Sequence, residues 1–91
     1  MKLVESKNNL RNLSEIPINN IPLDTIVTVS HIRAGLKATQ RLSGMGITPG
    51  VQIKVISQAP FRGPIQIIVR GTRLAIGAGL AMKIFVYNNF H

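Results

Sequence analysis

From Ile26 onward the chain alternates apolar and polar residues with a period of two in several short runs. Ile26-Val27-Thr28-Val29-Ser30-His31-Ile32 is rich in β-branched residues and alternates, which predicts a strand. In a second run Val51, Ile53 and Val55 fall on one side and Gln52 and Lys54 on the other. Ile65-Gln66-Ile67-Ile68-Val69-Arg70 predicts a third strand, and Arg73-Leu74-Ala75-Ile76 its returning partner after a tight turn at Gly71-Thr72. Ile84-Phe85-Val86-Tyr87 predicts the last strand. Between the first two runs the period changes. Leu36–Met45, with Ala38, Leu42 and Met45 at helical spacing, predicts a short helix, and Gly77–Met82 a single helical turn.

The punctuation is chemical. Gly44 or Gly46 supplies the left-handed end of the helix. Thr48-Pro49-Gly50 fits a type II turn, because Pro presets φ near −65° and Gly tolerates a positive φ. Ser57–Pro64 is a loop bracketed by Pro60 and Pro64, which cannot donate to a ladder. The turn positions Gly46, Pro49, Gly50, Pro60 and Gly71 are therefore read as architectural. A phosphate cradle needs its glycines at a helix N-terminus, whereas Gly46 and Gly50 follow the helix.

Five strands, a helix after the first and a helical turn before the last describe an all-β fold, a small antiparallel barrel. Residues 1–20, rich in Asn, Ser and charge, are expected to form a flexible lead with a helical turn near Leu10–Leu13, and residues 21–88 the barrel. If Val51, Ile53, Val55, Ile65, Ile67, Val69, Ile84 and Val86 fill it, then Ile56, Ile68, Phe85 and Tyr87 point outward. Large outward apolar groups mark a contact patch, unless the short helix covers them through Leu36 and Leu42. Phe61 and Arg62 on the Pro60–Pro64 loop are placed beside that patch as partner-binding candidates.

Charge changes the picture most. The 91 residues carry 11 Lys and Arg against 3 acids, a net charge of +8. Glu5, Glu15 and Asp24 all precede Thr25, so residues 25–91 hold eight bases and no acid. Such a body favours anionic partners: nucleic acid, an acidic protein face or, weakly, an anionic membrane surface. With 45% hydrophobic and 15% charged residues the chain is globular rather than disordered. It has no cysteine, which removes disulfides and thiolate metal sites and suits a reducing compartment. No uncharged run approaches the about 20 apolar residues of a membrane helix, and Met1–Lys7 lacks the apolar centre of a secretory signal. A cytoplasmic location is expected.

Candidate chemistry is sparse. The carboxylates show no paired spacing, His31 and His91 look isolated, and Ser14, Ser30, Ser43 and Ser57 have no His-Asp company. Neither catalysis nor a cofactor is expected. A metal site would need imidazole and carboxylate groups that converge, and Met45 and Met82 read as core fillers. Single-strand nucleic-acid readers interleave bases with aromatics, and here there are only Phe61, Phe85, Tyr87 and Phe90.

The ordered set Arg41-Leu42, Met45-Gly46-Ile47-Thr48-Pro49-Gly50, Ala59-Pro60, Gly63-Pro64-Ile65 and Val69-Arg70-Gly71-Thr72-Arg73-Leu74-Ala75-Ile76-Gly77, then Ala81 and Ile84, resembles the FeoA family. These are small SH3-like cytosolic proteins that accompany the FeoB ferrous-iron transporter. The resemblance spans about residues 22–87. It implies an SH3-like barrel and a non-catalytic accessory protein of ferrous-iron uptake that docks on the cytoplasmic part of a FeoB-type transporter. Self-association into a homo-oligomer is compatible with the same patch. The alternative is a basic nucleic-acid-binding SH3-like barrel without a specific target sequence. The chain departs from the family at Ala78-Gly79, where charged and often acidic residues are usual, and residues 1–20 have no counterpart.

Overall fold

The computed structural model describes residues 14–88. The helical turn expected at Leu10–Leu13, and the terminal Phe90 and His91, lie outside them. In chain order the elements are strand β1 (Ser14–Pro17), a 3-10 turn (Ile18–Asn20), β2 (Thr25–Ile32), helix α1 (Leu36–Gly44), β3 (Gln52–Gln58), β4 (Ile65–Val69), β5 (Thr72–Ile76), the one-turn helix α2 (Ala78–Ala81) and β6 (Ile84–Asn88). The strands form an antiparallel SH3-like barrel in the order β1-β6-β2-β3-β4-β5.

Strand β2 is where the sheet folds over. Its first half, Thr25–Thr28, pairs with β3, and its second half, Val29–Ile32, pairs with β6. A bulge at Ser30 separates Val29, which faces Val86, from His31, which faces Phe85. An extra residue in one strand bends it and increases its twist, so one strand serves both walls.

Helix α1 buries only Leu42, while Leu36 is 73% exposed. It ends in two backbone bonds, Gly46 N–H to Ser43 O at 2.9 Å and Ile47 N–H to Leu42 O at 2.9 Å, with Gly46 at φ 86°. This sends Ile47 into the core. The turn that follows is closed by Val51 N–H donating to Thr48 O at 3.1 Å, with Gly50 at φ 91°. Gly50 N–H also donates to Val29 O at 2.8 Å, and Val29 N–H to Val51 O at 2.8 Å. The turn therefore starts β3 already in register with β2.

The alternation in β3, β4 and β6 puts Ile53, Val55, Ile65, Ile67, Val69, Ile84 and Val86 in the core, with Val27 and Val29 from β2 and Ile76 from β5. Val51, expected there, is only partly buried. Burying an Ile or Val side chain contributes roughly 1.5–3 kcal/mol, and no polar or charged residue is buried among them.

Three expectations are corrected. The described residues hold six strands rather than five, because β1 pairs with β6 from Ser14–Asn88 to Pro17–Phe85. Residues 14–20 thus belong to the barrel rather than to a flexible lead, and Ile18 is fully buried. Four residues with one apolar side chain carry no periodicity of their own, and β1 exists only through β6. The β4–β5 turn is centred on Arg70-Gly71, one residue earlier than expected, with φ 51° and 81°. Strand β3 also runs on to Gln58.

Candidate functional site

The barrel register sets one row of outward side chains across four strands. Ile26 on β2 pairs with Lys54 on β3, Lys54 with Ile68 on β4, and Ile68 with Arg73 on β5. Their chain neighbours Val27, Ile53, Val55, Ile67 and Val69 point into the core, so these four point out. The row reads apolar, cation, apolar, cation. Ile26 is 59% exposed and Ile68 half-buried. With Val51 and Arg70 they line a shallow open groove. The groove has an apolar floor and cationic rims, and among the described residues no carboxylate lines it.

The sequence reading named Ile68 but missed Ile26. The signal was present, since Val27 and Val29 face inward and Ile26 has the opposite parity. Ile56, also read as outward, is the half-buried extra residue at the register shift between Val55 and Ser57.

Phe85 lies on the other wall of the barrel, paired with Pro17 on one side and His31 on the other. Ile68 and Phe85 are both outside, but their rows meet β2 at Ile26 and His31, five residues and roughly 16 Å apart. Phe85 is not free. The His31 ring stacks on it at 5.0 Å between centroids and 10° between planes, and the Arg33 guanidinium carbon lies 4.7 Å from its ring centre. Tyr87, two residues on, is half-buried and pairs with Glu15.

The bulge at Ser30 turns both Ser30 and His31 toward Glu15, so neither is isolated, contrary to the sequence reading. Ser30 Oγ donates to Glu15 Oε1 at 2.7 Å, and His31 Nδ1 lies 2.8 Å from the same oxygen. Arg33 Nε donates to His31 Nε2 at 3.2 Å, which places the neutral ring's proton on Nδ1. Glu15 reaches these partners only through the β1–β6–β2 register.

The cluster resembles a catalytic triad in composition but not in geometry. A relay needs the hydroxyl on one ring nitrogen and the carboxylate on the other. Here Ser30 and Glu15 both meet Nδ1, and Nε2 faces a guanidinium. The arrangement ties β1 to β2 across β6 and does not activate the serine. Glu15 and His31 supply two metal-type donors, and among the described residues no group of three such ligands converges.

Phe61 and Arg62 occupy a third place, the tip of the β3–β4 hairpin. Ala59 N–H donates to Pro64 O at 3.0 Å, and Gly63 N–H to Pro60 O at 3.1 Å. The two central residues of this turn have φ 57° and 60°. Such a pair of angles is normally taken by Asn-Gly. Phe61 is 98% exposed. Arg62 lines a depression with Pro17, Asn19, Asn20, Gln58 and Met82.

Residues 16–88 match the FeoA domain family. A Methanocaldococcus jannaschii protein provisionally named Fe(2+) transport protein A is 50% identical over 60 residues, 66% of this chain and 71% of that protein. The crystal structure of an iron uptake regulatory protein, FeoA, superposes with a TM-score of 0.75 at 39% identity, covering 81% of this chain and 97% of that one. The solution structure of a FeoA-like protein from Clostridium acetobutylicum gives a TM-score of 0.74 at 28% identity, covering 85% of this chain and 91% of that one.

Proposed function

We propose that this chain, which belongs to the FeoA domain family, is a non-catalytic accessory protein of ferrous-iron transport. It acts by docking on the cytoplasmic part of a FeoB-type transporter. The iron-transport role is supported by the family and by the name of the archaeal relative. The observation that carries the docking is the row Ile26–Lys54–Ile68–Arg73.

Outward isoleucines on a barrel strand do nothing for the core, and burying one against a partner contributes roughly 1.5–3 kcal/mol, the size of a binding hot spot. Lys54 and Arg73, alternating with them, select a partner whose apolar contact is bordered by carboxylates. They act mainly on association rate. The rival reading, a nucleic-acid barrel, has less support. Phe61 sits at the hairpin tip, while Phe85 and Tyr87 sit on β6, so these three form no stacking platform.

The test pairs Ile26→Ser and Ile68→Ser with circular dichroism melts and binding to the transporter's cytoplasmic domain. Both variants are expected to melt cooperatively and to bind at least about tenfold more weakly. Unfolding of either at room temperature would place its side chain in the core, and undiminished binding of both would remove the row from the interface. If the serines instead dissociate a dimer while transporter binding persists, the row joins two copies of this chain.

A further inference from the structure

We propose that the Phe61 hairpin tip and Met82 form a two-point contact with an anionic lipid bilayer. The proposal uses a surface at the other end of the β3–β4 hairpin from the docking row and does not rest on that reading. Phe61 is 98% exposed and held outward by a closed turn, in which it and Arg62 adopt positive φ without being glycine or asparagine. A loop free to relax would be expected to lay the phenyl ring on the barrel. Strained backbone angles of this kind collect at functional sites.

Across the depression that Arg62 lines stands Met82, 55% exposed and followed by the exposed Lys83. Arg62 and Met82 thus line one hollow, and each has an exposed chain neighbour of the complementary kind, Phe61 and Lys83. Between them the hollow mixes polar Asn19, Asn20 and Gln58 with Pro17, Ala78 and Gly79, and among the described residues no carboxylate lines it. Of the described acids, Glu15 is held by Ser30 and His31, and Asp24 lies outside the hollow.

The spacing of the apolar groups selects the partner class. A protein hot spot is a contiguous apolar centre ringed by polar residues. Here Phe61, 98% exposed, is covered by almost nothing, so it and the 55% exposed Met82 form no contiguous apolar centre. A headgroup layer accepts such a pattern: isolated apolar side chains enter between lipids while Arg and Lys meet phosphates. The contact is weak and reversible, since one aromatic and one thioether are far less than an anchor.

The test is co-sedimentation of the full chain with vesicles of phosphatidylcholine containing phosphatidylglycerol, and of phosphatidylcholine alone, at low and at physiological salt. Binding is expected only to the anionic vesicles and should weaken as salt rises. Phe61→Gly, which suits a positive φ and so does not unfold the loop, is expected to lower the bound fraction roughly tenfold, and Met82→Ser roughly threefold. Ile68→Ser should leave vesicle binding unchanged, just as Phe61→Gly should leave binding to the transporter domain unchanged. Equal binding of the parent and Phe61→Gly, or equal binding to neutral vesicles, overturns the proposal. So does a dimer that dissociates on Phe61→Gly without any vesicle binding, which would make the occupant a second copy.

Discussion

Two turns built with proline and glycine use the glycine for opposite reasons. At Thr48–Val51, Gly50 takes φ 91°, and a Cβ added there would meet nothing within 4 Å. Glycine is needed for the angle. At Pro60–Gly63 the positive angles fall on Phe61 and Arg62, and a Cβ on Gly63 would come 2.5 Å from the Ala59 Cβ and 3.1 Å from the Pro60 oxygen. Glycine is needed for the space. In the first turn, residue choice and backbone agree, as expected of a joint whose only task is to launch β3. In the second they disagree, and the misfit holds a phenyl ring in solvent. A left-handed angle disfavours an ordinary residue by roughly 1–2 kcal/mol, so a pair of them argues for a use of the loop beyond reversing the chain.

Substitutions can break or sharpen this contrast. The largest effect is expected away from both turns and sets the scale for them: Ile18→Ala should destabilise by about 2–5 kcal/mol, as for a fully buried core isoleucine. An unchanged denaturant midpoint would return residues 14–20 to a dispensable lead. Next, Gly63→Ala should cost roughly 1–3 kcal/mol by crowding Ala59. The same measurement on Ala59→Gly/Gly63→Ala should recover part of the loss, which a purely angular cause would not allow.

Gly50→Val should lose more than about 1 kcal/mol, all of it from the backbone angle, since the space is open. Coincident thermal melts of variant and parent would show that the turn does not constrain the chain. The smallest effect has the opposite sign. Phe61→Asn with Arg62→Gly installs the residues that these angles favour and should stabilise by about 1 kcal/mol. A melt that falls instead would mean that Phe61 contributes to the fold, and the contrast between the turns would vanish.

How much was legible follows from the range of each interaction. The Thr48-Pro49-Gly50 turn, the end of α1 and the inward parity of β3, β4 and β6 rest on contacts within a few residues, and local chemistry suffices to read them. At the β4–β5 turn the residue types point one position late, to Gly71-Thr72, because an arginine gives no signal of the positive φ that Arg70 adopts. The Ile26–Ile68 row was half legible. Parity marks each residue as outward, but only the pairing of β2 with β3 and of β3 with β4 brings them to one place.

Taken alone, the sequence determined the barrel class, the helix between the first two full strands, and a cationic body in which residues 25–91 carry eight bases and no acid. These follow from periodicity, turn chemistry and composition, which are properties of the chain itself. Tertiary structure alone decided that Ser14–Pro17 is a strand and that Glu15 meets Ser30 and His31. It also decided that Phe85 is stacked rather than bare, and that Ile68, Phe85 and Phe61 occupy three separate places. Each of these depends on register between strands distant in sequence. A four-residue strand such as β1 has too few contacts of its own to exist before β6 is in place.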